Sequence, residues 1–141
     1  MNPIVKNILA VLAGIIVGMA VNMGIIMLLS LIIPPPDGVD PKDMESIREA
    51  MLSNKYSMYH FISPWLAHAG GTFVGALVAV KIAANNHLLF ALVIGAFFLV
   101  GGIMMVQELP SPLWFNIVDI VGAYIPMAYI GYIIGAPKNK I

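Results

Sequence analysis

The sequence predicts an all-α integral membrane protein, a four-helix bundle with a short amphipathic helix in its first loop. Three observations carry this reading. Charged residues make up 10% of the 141-residue chain, against about 25% in ordinary soluble domains. Four stretches stay apolar for about 20 residues, the length a helix needs to cross a hydrocarbon core of ~30 Å. Within those stretches, glycine and alanine recur every four positions, the spacing that lets membrane helices approach closely.

The same composition excludes several classes. With 7 basic and 7 acidic residues the net charge is zero, so no basic patch is available for nucleic acid. There is no cysteine, which removes thiol chemistry and Cys-ligated zinc. No glycine-rich phosphate loop is present. The chain reads as a single membrane domain over residues 1–141.

The first span is expected from Ile8 to Ile33, interrupted only by Asn22 and Ser30. At 1.5 Å per residue it reaches ~39 Å, so it should tilt or protrude. It is far longer than the apolar region of about 7–15 residues in a signal peptide, and no Ala-x-Ala site follows, so it reads as a retained helix. The second span is expected from Trp65 to Ala84, with Ser63 as cap and Pro64 at the first helical position. The third runs from Leu88 to Val106. The fourth runs from Leu113 to Gly135 behind Ser111-Pro112, and Pro126 should kink it and leave the Gly122 carbonyl unpaired. The repeated Ser-Pro start, with Gly75-Ala76 and Gly122-Ala123 following at similar distances, is a faint internal echo of two helical hairpins.

Tight connections at Asn85-Asn86-His87 and Pro110-Ser111-Pro112 make the second, third and fourth spans antiparallel neighbours. The first loop is long. After Pro34-Pro35-Pro36, residues 41–54 read as a short helix opened by Asp40-Pro41, with Met44, Ile47 and Met51 on one face and Lys42, Glu45, Arg48 and Glu49 opposite. It would lie either at the membrane interface or over the mouth of the bundle.

Small residues mark the packing faces: Ala10, Gly14 and Gly18 in the first span, Ala67, Gly71, Gly75 and Ala79 in the second. Ala91 and Gly95 follow in the third, and Ala123, Gly131 and Gly135 in the fourth. These stripes serve either the bundle itself or contact with a second copy or a partner membrane protein. The bilayer is the expected partner of everything else.

Lysines set the orientation. Lys6, Lys81, Lys138 and Lys140 share one side with few acids, and Lys42, Arg48 and Lys55 lie on the other side with five acids. This favours both termini in the cytoplasm, and the acidic loop would then be periplasmic in a Gram-negative host. Trp65, Trp114, Tyr56, Tyr59 and Phe115 then form an aromatic belt at the outer boundary, with Tyr132 near the inner one.

Ionisable groups within a membrane are costly and point to function. Here the polar residues are His68, Asn116, Asp119, Gln107, Glu108 and Asn22, and all fall in the outer half. Asn116 and Asp119 share a helix face, and a His68–Asp119 contact is geometrically accessible. His60 would join only if the chain before Pro64 folds back. One reading is a hydrogen-bond network that fixes helix register. Another is a site for a cation or a polar head group. A proton path would need inner-half partners, and none is present. A metal site lacks ligand spacing such as His-x-x-x-His.

Ser63-Pro-Trp-Leu-Ala-His-Ala-Gly-Gly-Thr-Phe-Val-Gly-Ala-Leu77, Gly101-Gly-Ile-Met-Met105 and Ala123-Tyr-Ile-Pro-Met-Ala-Tyr-Ile-Gly131 resemble a group of uncharacterised small four-span bacterial inner-membrane proteins. The resemblance spans nearly the whole chain and implies the same fold, with no activity or site residue to transfer. The chain departs from other small four-span families. It lacks the cysteines of quinone-linked disulfide enzymes, and Asn22 stands where small multidrug exporters carry a first-span glutamate.

The expectation is therefore a non-enzymatic accessory subunit or lipid- or small-ligand-binding module, needing no cofactor, with a polar site in the outer half. The alternatives are a small secondary transporter or channel, and a metal-dependent membrane enzyme built on His68, Glu108 and Asp119.

Overall fold

The computed structural model describes residues 1–138, and Lys140 lies outside them. The described chain is helical, and four of its helical stretches are long and apolar enough to cross a membrane: Pro3–Leu29, Met58–Ile82, His87–Glu108 and Leu113–Gly135.

Helix α1 (Pro3–Leu29) begins five residues earlier than the hydropathy implies. Asn2 is the reason: its side chain accepts from the Ile4 amide at 2.9 Å, and Pro3 takes the first helical position. The helix also stops four residues short of Ile33. Ile33 precedes a proline, and that position disfavours helical backbone. Helix α2 (Met44–Leu52) is shorter than the 41–54 expected, because its cap is Asp43, which accepts from the Glu45 amide at 3.1 Å. Asp40 instead closes the preceding turn through the Lys42 amide at 2.9 Å.

A 3-10 turn at Met58–Phe61 runs directly into α3 (Ile62–Ile82). Ser63 is thus the second helical residue and caps nothing. Pro64 sits third, where its missing N–H is one of the donors a helix start leaves unused anyway. The helix ends at Ile82, two residues before the expected Ala84, and Asn86 in left-handed backbone turns the chain into α4 (His87–Glu108).

The fourth span is broken outright, not kinked. Helix α5 (Leu113–Gly122) ends and α6 (Ile125–Gly135) begins anew, with Pro126 in its first turn. A proline there cannot donate to the preceding turn, and the chain resolves this by leaving helical geometry at Ala123-Tyr124. Both residues are buried against protein, the condition for irregular backbone at membrane depth. Ser111, like Ser63, does not cap; Pro112 holds that position. Since α3 is continuous where its counterpart is broken, the Ser-Pro echo does not extend to matched hairpins.

Helix α3 is the centre, packing against α1, α4 and α6. Its stripe meets that of α1 at backbone distance. A Cβ built on Gly75 would lie 2.6 Å from the Gly14 carbonyl oxygen, and one on Gly14 2.7 Å from that of Gly75. Gly71 and Gly18 repeat the arrangement one turn on, at 2.7 and 2.8 Å. On other faces, Gly131 of α6 lies against the Phe73 carbonyl and Gly95 of α4 against Ala128. The small residues therefore serve close packing within the chain. The outward faces are apolar too: Leu12, Ile16 and Met23 on α1 and Val100 and Met104 on α4 are all exposed.

The end of the bundle carrying Asn2, the α3–α4 turn and Gly135 is here the terminal end; the other, under residues 30–61, is the loop end. Helix α2 lies over the loop end. Arg48 donates to the Glu108 carbonyl at 3.2 Å, and the Ser111 hydroxyl lies 3.8 Å from the Met51 sulfur.

Candidate functional site

Beneath α2 the helices enclose a cavity of about 290 Å³. Its walls come from the last turns of α1 and α4, the first turns of α3 and α5, and the inner face of α2. Ile26, Ile47, Met51, Phe61, Met105 and Phe115 make most of it apolar. Phe115 is buried, its ring 4.8 Å from that of Phe61, so it belongs to this wall and not to an outer aromatic belt. Tyr56 also lines the cavity, and burial pushes its phenol above the ordinary range.

One wall is polar. His68 projects from the second turn of α3, and Asp119 from the second turn of α5. The His68 Nδ1 lies 2.9 Å and 3.0 Å from the two carboxylate oxygens of Asp119. Tyr124, at the break between α5 and α6, brings its hydroxyl within 2.9 Å of both Asp119 Oδ2 and His68 Nδ1. Asp119 and Tyr124 are 2% and 1% exposed, while the His68 side chain is 20% exposed.

With Asp119 ionised, hydrogen-bond chemistry assigns the proton positions. An ionised carboxylate can only accept, so His68 Nδ1 must carry a proton and donate it, and the Tyr124 hydroxyl donates to Oδ2. In the neutral imidazole this leaves the lone pair on Nε2, which has no partner among the described residues. Asp119 thus holds a basic nitrogen at the edge of the cavity, as carboxylates orient histidines in metal and catalytic sites.

Gly102 makes the arrangement sterically accessible. A Cβ there would run into the Tyr124 hydroxyl and ring, so only glycine on α4 admits the tyrosine. Sequence reasoning missed Tyr124. The available signal was a tyrosine in mid-span, two residues before a proline: a buried phenol needs a hydroxyl partner, and the broken turn supplies the freedom to reach it.

The other expected residues divide. Asn116 lines the cavity one turn from Asp119; its Nδ2 donates to the Ser111 carbonyl at 3.3 Å, and its buried Oδ1 has no partner. Ser63 lines the cavity too, with its hydroxyl unpartnered. His60 reaches the cavity because the 3-10 turn folds back over it, and its Nδ1 accepts from the Ser57 amide at 2.9 Å. Gln107 and Glu108 are exposed at the end of α4 and do not line the cavity; Glu108 takes part only through its backbone carbonyl. Asn22 packs against Gly71 in the α1–α3 seam. Among the described residues, no three His, Cys, Asp or Glu side chains come together to hold a metal ion.

The terminal end holds polar contacts that sequence reasoning did not single out. Asn7 donates to the Asn85 side chain at 2.9 Å and accepts from the Ala84 amide at 2.8 Å, and the buried His87 donates to the Val80 carbonyl at 3.0 Å.

No protein-family model, curated protein or solved structure matches this chain. Its function is therefore argued from the site.

Proposed function

We propose that the chain is a small polytopic membrane protein of a bacterial inner membrane, with both termini cytoplasmic. Its function in this reading is to bind a small, largely apolar molecule in the cavity beneath α2. It acts as a binding module or accessory subunit, not as an enzyme. The loop end then lies in the outer half of the membrane, and the exposed apolar faces of the four spans meet lipid.

The observation that carries this reading is the unequal satisfaction of the polar wall. A network serving only helix register closes on itself. Here, among the described residues, His68 Nε2 in the lining of a 290 Å³ cavity is left over, with the unpartnered Ser63 and Asn116 atoms in the same walls. A mostly apolar pocket with a few convergent polar groups is the usual form of a small-molecule site.

Native mass spectrometry of the full chain released from micelles tests it. The wild type is expected to retain a small-molecule adduct, and His68→Ala to lose it while still inserting in the membrane. An adduct-free wild type, or equal retention in both, overturns the reading. Solute flux through proteoliposomes containing the purified chain alone would replace it with a transporter.

A further inference from the structure

We infer that the cavity selects a small apolar alcohol or phenol, whose hydroxyl is read by two histidines of opposite hydrogen-bonding sense. This rests on the binding role proposed above and adds the chemical class of the ligand.

His68 supplies the acceptor. Its Nδ1 proton is committed to Asp119 and Tyr124, so its free nitrogen, Nε2, takes a hydrogen bond. His60 supplies the donor. Its Nδ1 accepts from the Ser57 amide, a bond that requires a lone pair there, so the ring proton sits on Nε2. Both rings line the same cavity. The Asn116 amide adds an acceptor, since among the described residues its buried Oδ1 has no partner, while one of its two N–H donors goes to the Ser111 carbonyl. A hydroxyl is the simplest head group that donates and accepts together.

Charge excludes the main competitor. Among the described residues no lysine or arginine lines the cavity, and Asp119 is its one carboxylate. A carboxylate or phosphate head would find no cation to pair with. A protonated His68 does not change this, because its charge is already matched by Asp119 at 2.9 Å. Burying an unpaired anion in such surroundings is strongly unfavourable. Apart from the hydroxyls of Ser30, Tyr56, Ser63 and Ser111, the remaining walls are aliphatic and aromatic, and they fit the apolar body.

The test compares three probes of one shape, 4-butylphenol, butylbenzene and 4-butylbenzoate, on the full chain in detergent micelles with ¹⁵N-labelled histidine. The Nε2 resonance of His68 reports binding at the site itself, and midpoints are compared as probe mole fraction in the micelle, because the three probes partition into detergent to different extents. The phenol is expected to shift that resonance with a midpoint about ten-fold below that of butylbenzene, the effect of one well-made hydrogen bond, and the benzoate to bind no better than butylbenzene. Asp119→Asn, whose amide can donate to Nδ1 and move the ring proton to Nε2, should erase the phenol's advantage. Equal binding of phenol and butylbenzene overturns the inference, as does tighter binding of the benzoate; the cavity reading survives both. Failure of all three probes to move His68 overturns the binding role together with the inference.

Discussion

The two ends of the bundle use the same residue types to opposite purposes. At the terminal end, Asn7 fastens the α3–α4 turn through Asn85 and Ala84, and His87 is tied to a backbone carbonyl. At the loop end, His68 is tied to a carboxylate and a phenol, and Ser63 and Asn116 each keep a buried polar atom without a partner. Between the ends the helices touch backbone to backbone at Gly14 and Gly75, then part to leave the cavity. A histidine bonded to its own turn is a fastener. A histidine held by a carboxylate in the lining of a cavity is what the proposed binding role needs. The packed region should therefore answer to mutation with lost stability, and the hollow region with altered binding.

The largest effect is expected in the packed region. In Gly75→Ala the new methyl meets the Gly14 carbonyl oxygen at 2.6 Å and the Ile94 side chain at 3.3 Å. Neither α1 nor α3 can yield without opening the seam, so a loss of about 3 kcal/mol is expected, at the upper end for overpacking. Denaturant unfolding in mixed micelles measures it. Gly101→Ala is the control, since a Cβ there meets nothing within 4 Å. Similar effects in both variants would mean that the Gly14–Gly75 seam does not set the stability, since helix propensity by itself favours alanine at both positions.

Next comes the junction of the two regions. Tyr124→Phe removes a hydroxyl bonded to Asp119 at 2.9 Å and leaves a buried carboxylate with His68 alone. Hydrogen bonds to charged groups contribute roughly 1.5–3 kcal/mol, so about 2 kcal/mol of stability should be lost in the same unfolding assay. The His68 contact to Asp119 does not depend on the tyrosine, so the ¹⁵N pattern of a protonated Nδ1 should persist. If the variant is as stable as wild type, the phenol is a bystander to the pair.

These variants also separate what could be read from the sequence from what could not. The spans and the small-residue stripes were legible because hydropathy and four-residue spacing are local properties. So was the His68–Asp119 pairing, which needed only two antiparallel helices and an estimate of depth. Helix starts were less so: Ser63 and Ser111 look like caps, yet Phe61 and Pro112 hold those positions, because the incoming chain, not the side chain, decides where a helix begins. Tyr124 and Gly102 form a pair across two helices, and neither residue signals the other. The cavity was out of reach altogether, since empty volume is set by how α2 and four helix ends meet.

In the hollow region the sign reverses. Ser63→Ala removes a hydroxyl that is buried without a partner. An unsatisfied buried group costs about 1–3 kcal/mol, so the variant should be more stable by about 1 kcal/mol while binding its ligand less well. Stability gained at the expense of binding is the usual relation at a functional site. A less stable Ser63→Ala would show that the hydroxyl serves the fold, and would move it to the fastening side of the comparison.

The smallest effect concerns the cover of the cavity. Tyr56 is half-buried against the cavity, and burial raises its pKa above the ordinary value of 10.0. The folded state thus holds the phenolic proton more tightly than the unfolded state. Its contribution to stability is fully present below pH 10 and is lost as pH rises from there through the raised folded value. Alkaline titration should loosen residues 44–61 before the spans, seen as faster amide hydrogen exchange in that segment after correction for the intrinsic rate. Tyr56→Phe has no proton to lose and should abolish the step. Its persistence in that variant would assign the loosening to Lys42 and Lys55, which flank α2, and Tyr56 would then be only a part of the wall.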